Sequence, residues 1–144
     1  MELAADPRDA AQDMIAQHAD DPQWLDAFAQ ALDERRSGAE LHRLVRVWDM
    51  SYAETGKAMG VSRQAVTKWA DRGVPPDRRR PVADWSAATD LLVQHLRRDR
   101  IPAVVRRPAA GLGGRSLYDL LMAGETPRML QACREMFAFG DAHG

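Results

Sequence analysis

The chain has 144 residues, 45% of them apolar and 28% charged, with a formal net charge of −1. That is room for one compact domain or two small ones with an ordinary hydrophobic core. No run of eighteen apolar residues occurs and the start, MELAADPRDAAQDM, is acidic and alanine-rich, so neither a membrane span nor an export leader is expected and the predicted location is the cytoplasm.

Cys133 is the single cysteine, which excludes an intramolecular disulfide, and a lone thiol in an apolar helical pattern reads as a small core residue. The four histidines, His18, His42, His95 and His143, are scattered without metal-ligand spacing, and no nucleophile motif is present. The sequence therefore predicts a binding protein and not an enzyme, with no metal and no cofactor. Its charge is unevenly spread. Residues 1–40 carry three basic against ten acidic side chains, residues 41–80 nine against four, and residues 81–144 eight against seven. A central block of +5 inside a nearly neutral chain is the footprint expected of a surface that meets a polyanion.

In chain order, Asp6-Pro7 opens a first helix that reaches His18, with Ala11, Met14, Ile15 and His18 at helical spacing. Asp21-Pro22 repeats the start signal, and the second helix carries Trp24, Leu25, Phe28, Ala31 and Leu32 on one stripe until Ser37-Gly38 stops it. A third helix with Leu41, Leu44, Val45 and Trp48 inward ends near Asp49. These helices are expected to pack against the helix pair after them, because a two-helix motif cannot bury both of its apolar faces alone.

That pair lies in SYAETGKAMGVSRQAVTKWADRG, Ser51 to Gly73. Thr55, Gly56 and Met59 give a first helix with small or apolar inward positions. Gly60 ends it by taking a left-handed conformation, and Ser62 caps a second helix whose Val66 and Trp69 are buried. This is the spacing of a helix-turn-helix. Once Val61, Val66 and Trp69 are assigned inward, Ser62, Arg63, Gln64, Thr67 and Lys68 remain outward: a guanidinium suited to guanine, an amide suited to adenine, a methyl-bearing hydroxyl for thymine and a cation for phosphate. Arg72 extends the basic face. The segment VPPDRRRP, Val74 to Pro81, reads as a helix-free boundary whose Arg78, Arg79 and Arg80 either touch phosphates, Arg78 and Arg79 foremost, or merely solubilise a linker.

From Asp84 a long amphipathic helix carries Trp85, Ala88, Leu91, Leu92, His95 and Leu96, with Arg97, Arg98 and Arg100 after it. Val104-Val105 fit one short helical turn or an extended connector. Then Gly111, Gly113 and Gly114 make a loop able to take positive φ, which fixes Arg115 in place and lets Ser116 cap a helix of Tyr118, Leu120 and Leu121. Ala123-Gly124-Glu125-Thr126 turns into a last helix with the stripe Met129, Leu130, Cys133, Met136 and Phe137. A glycine cluster before a helix can also cradle phosphate, but no strand or phosphate-loop lysine precedes this one.

The predicted fold is all-α, with about eight helices: an N-terminal helical bundle containing the helix-turn-helix, residues 1–76, then a smaller C-terminal helical domain, residues 81–144. Val61 to Pro76 resembles the turn and recognition helix of Xre/Cro-like repressors, departing from them by Gly56 where alanine is usual. Arg106 to Gly140 resembles the toxin-binding domain of Xre/MbcA/ParS-type antitoxins, through Pro108, Leu112-Gly113-Gly114-Arg115-Ser116, Asp119-Leu120-Leu121 and a final helix ending near Gly140. Val104-Val105 replaces the tryptophan common in that family's lead-in.

The resemblance implies an antitoxin of a type II toxin–antitoxin pair. Such a protein binds its own operator and blocks the active site of a RES-domain toxin that consumes NAD, within a larger toxin–antitoxin complex. The toxin-facing residues it implies are Gly113, Gly114, Arg115, Ser116, Met136, Phe137 and Phe139, with Arg115 either pinning the module internally or pairing with a toxin carboxylate. A single recognition helix reads few base pairs, so a homodimer on palindromic DNA is expected. The alternative is a stand-alone Xre-family repressor whose C-terminal module dimerises or senses a ligand.

Overall fold

Short polar side chains start five of the helices, four of them (Asp6, Asp21, Ser62 and Ser116) at the sequence positions expected and the fifth at Ser51. In the computed structural model, which describes residues 6–143 with side chains as far as Ala138, Asp6 accepts from the Arg8 amide and Asp21 from the Trp24 amide. They open α1 (Pro7–Gln17) and α2 (Pro22–Val47). Ser51 and Glu54 form a reciprocal capping box on α3 (Tyr52–Met59), Ser62 caps α4 (Arg63–Arg72), and Ser116 with Asp119 makes a second box on α7 (Leu117–Met122). α5 (Arg79–His95), α6 (Ile101–Val105) and α8 (Thr126–His143) complete an all-α fold with no strand among the described residues. None of these helices is long and apolar enough to cross a membrane.

Three expectations are corrected. Ser37-Gly38 does not stop a helix: α2 runs unbroken for 26 residues. Gly38 is where α4 presses on it, since a Cβ there would lie 2.7 Å from the Ala70 carbonyl oxygen, and Ser37 Oγ accepts from the Val74 amide at 2.9 Å. Glycine served close approach here rather than chain reversal. Second, α5 begins at Arg79, five residues before Asp84, because Pro81 falls in the first turn, where a missing N–H costs no intrahelical bond. Only Pro76–Arg78 before it is a 3₁₀ turn. Third, α1 and the first half of α2 do not pack on the helix-turn-helix. No residue of α1 is buried, nor any of α2 before Gly38. Met14, Ile15 and Leu32 stay exposed while His18, Trp24 and Phe28 stack in a row, with centroids 3.8 and 5.1 Å apart.

The core begins at Leu41 and continues to Cys133 as one cluster. Side chains from both sides of residues 77–80 enter it. Trp48 at the end of α2 meets Trp85 of α5 edge to face at 5.9 Å, and its indole N–H donates to Thr89 Oγ1 at 2.9 Å. Arg106 closes the other flank. Its guanidinium donates to the Trp48, Asp49 and Pro102 carbonyls at 2.8–3.0 Å and lies over the Tyr118 ring. Asp49, at φ 53°, is the non-glycine residue through which α2 turns into α3.

Candidate nucleic-acid and partner interfaces

The corner between α3 and α4 has the geometry its sequence dictates. Gly60 takes φ 71°, and a Cβ at Gly56 would meet the Val61 carbonyl oxygen at 2.7 Å, so the residue that departs from the usual alanine permits the tight crossing. Val66 and Trp69 are buried, Val61 half-buried. Ser62, Arg63, Gln64, Thr67, Lys68 and Arg72 are all exposed. Two of these hydroxyls have local bonds: Ser62 Oγ accepts from the Ala65 amide, and Thr67 Oγ1 donates to the Arg63 carbonyl at 3.1 Å. Arg63, Gln64 and Lys68 have no side-chain hydrogen bond or ion pair among the described residues, and Arg72 has only a 3.9 Å approach to its exposed neighbour Asp71. α4 thus presents a free guanidinium, amide and ammonium on one helix.

Of the three arginines after α4, Arg80 is exposed while Arg78 and Arg79 are engaged within the fold. Arg78 Nη1 donates to the Met59 carbonyl at 3.1 Å, and Arg79 Nε to the Val74 carbonyl at 3.0 Å. Both hold the chain that leaves α4.

In the C-terminal region, Gly113 and Gly114 take φ 67° and 82° with open space at their missing Cβ positions, so conformation rather than room requires glycine there. Arg115 Nη1 is ion-paired with Glu125, which pins the loop to the start of α8. Ser116 is buried as the α7 cap. Met136 is exposed, whereas Phe137 is half-buried and stacked on His95 at 4.3 Å. The Phe139 side chain lies outside the described residues.

The glycine loop and α8 meet. Ala109, Gly111 and Leu112 from the loop, Leu117 from α7, and Ala132, Glu135 and Met136 from α8 line an open, mainly apolar cleft of about 240 Å³. The sequence pointed to both walls separately. It missed Ala132, whose signal was its i, i+4 spacing to Met136, and Glu135, which stands i, i+3 from Ala132.

The electrostatics are local. Tyr118 and the Ser51 amide, both donating to Glu54, hold its carboxyl below the usual range, and the same bond raises the Tyr118 hydroxyl. Burial pushes the Cys133 thiol up to about 12.

No protein-family model and no curated protein matches this chain. Among solved structures, the chain is similar to one from the crystal structure of the Mycobacterium tuberculosis (M.tuberculosis) MbcT-MbcA toxin-antitoxin complex, with a TM-score of 0.56 at 23% identity, over 69% of this chain and 91% of that one. The likeness is one of fold.

Proposed function

We propose that this protein is a type II antitoxin that reads its own operator through α4 and holds a toxin through the cleft between the glycine loop and α8. The observation that carries the DNA half is the exposed, unengaged set Arg63, Gln64 and Lys68 on a helix-turn-helix corner, inside the block of positive charge. Two copies on palindromic DNA supply the affinity one helix lacks. The toxin half is supported by the shared fold with a chain of a toxin–antitoxin complex and by the apolar cleft that joins the loop to Met136. The sequence resemblance of Arg106 to Gly140 supports a RES-domain toxin as the partner, its NAD-consuming site covered in the complex.

The test uses the full chain, because Trp85 and its neighbours on α5 cover Trp48 and a fragment ending at residue 80 would uncover that core. Cells expressing the product of the adjacent gene, expected to be a RES-domain toxin, are scored for growth rescue, with an operator gel shift run in parallel. Met136→Glu should lose rescue and keep operator binding. Arg63→Ala with Gln64→Ala should lose operator preference and keep rescue. Undiminished rescue by Met136→Glu overturns the assignment of the toxin to this cleft.

A further inference from the structure

A second basic surface lies outside both regions. Ala39, His42, Arg43 and Arg46 follow one another at i, i+3, i+4 and i+7 along the outward side of α2, and with Arg98, from the turn after α5, they line an open cleft of about 520 Å³. Its cations are not equivalent. Arg43 is committed to Glu40 at 2.7 Å and Asp90 at 2.8 Å, which spends the nearby carboxylates. Arg46 and Arg98 are exposed and have no hydrogen bond or ion pair among the described residues. His42 Nδ1 lies 3.2 Å from the Tyr52 hydroxyl, and Tyr52 is the first residue of α3.

The cleft therefore offers two free guanidinium groups, and a side-chain bond ties it to the first helix of the helix-turn-helix. In such corners the first helix crosses the DNA backbone while the second enters the groove. A free nucleotide would need an apolar or aromatic wall for its base. Ala39 is the one apolar lining residue and His42, already bonded to the Tyr52 hydroxyl, the one ring, and the cleft is open rather than enclosed. We infer that this cleft takes backbone phosphates of the DNA read by α4, as a second phosphodiester contact site outside the corner. The inference rests on the DNA half of the proposed function.

The test is fluorescence anisotropy of the full chain with an operator duplex and an unrelated duplex of equal length, titrated across a range of KCl concentrations. The double variant Arg46→Ala, Arg98→Ala should weaken both duplexes alike and make the plot of log K against log salt shallower by about 2, one for each lost phosphate contact. Arg46→Lys with Arg98→Lys should restore the slope, which a merely misfolded variant would not. Inorganic tripolyphosphate is added to the operator complex as a competitor. Release at low concentration from the parent but not from the alanine variant supports a phosphate site.

An unchanged slope in the alanine variant, with parent protein that binds operator, overturns the cleft and leaves the α4 reading standing. Parent protein that binds neither duplex at any salt overturns both. Tripolyphosphate bound equally by parent and variant also counts against the cleft.

Discussion

Tyr118 of α7 donates its hydroxyl hydrogen bond to Glu54 of α3, across 64 residues of sequence. Glu54 is at the same time the return arm of the capping box that starts the helix-turn-helix. One carboxylate thus ties the first helix of the candidate DNA-reading corner to the helix that comes after the glycine loop. Because Glu54 is held below its ordinary value of 4.5 by Tyr118 first and the Ser51 amide second, its contribution to stability is complete above that value and is lost as pH falls through the lower, folded one. Thermal melts of the parent and Tyr118→Phe should differ at pH 7 and draw together as pH falls below 4.5. A gap that does not narrow in acid would mean the bond is not what the variant removes.

Gly38→Ala should destabilise the fold even though alanine is the better helix former. The gain in helix propensity is at most about 1 kcal/mol. Against it, the new Cβ would stand 2.7 Å from the Ala70 carbonyl oxygen, a backbone atom that moves only with α4, and overpacking of that kind costs about 1–3 kcal/mol. A lower Tm is expected, and a weaker operator complex, because α4 must shift to admit the methyl. Equal or raised Tm would refute the packing account of this glycine.

Cys133 should be inert in the native protein. It is fully buried and its thiol is raised to about 12, so at neutral pH almost no thiolate forms to attack a reagent. Labelling with a disulfide reagent should be slow until guanidinium unfolds the chain, then complete. Fast native labelling would mean that α8 opens away from α5 without global unfolding.

Arg115 and Glu125 should act as one unit in neutralisation. The pair is part-exposed, so breaking it costs up to about 1 kcal/mol of stability. What it fixes is the position of the glycine loop against α8. Arg115→Ala and Glu125→Ala should therefore weaken growth rescue by similar factors. A large loss with Arg115→Ala and none with Glu125→Ala would show instead that Arg115 meets a carboxylate on the partner.

Four helix starts were readable from the chain because a cap is local: Asp6, Asp21, Ser62 and Ser116 need only the amides two or three residues ahead. The outward set on α4 came from a local turn and an i, i+3 core pair in the same way. Gly38 was misread because glycine marks a helix end and a close crossing with the same letter, and only the arrival of Ala70 distinguishes them. Arg78, Arg79 and Arg106 carry no sequence sign of which carbonyl they will reach, and Glu54 with Tyr118 is a pairing no periodicity contains. The two walls of the apolar cleft were each visible, but their meeting depends on how α8 lies beside the loop.

α2 is gripped over only part of its length. At about 1.5 Å per residue it extends for about 39 Å, yet contact with the rest of the molecule starts near Glu34, which touches Gly73, and Ser37, which holds the Val74 amide. Ahead of that point the helix is a cantilever, joined to α1 through the His18–Trp24 stack. Opening this segment uncovers almost none of the core, so it costs far less than global unfolding. Amides in residues 7–33 should exchange with deuterium while those of Leu44, Trp85 and Leu120 are still protected, and a protease should be able to remove the segment from a body that stays folded.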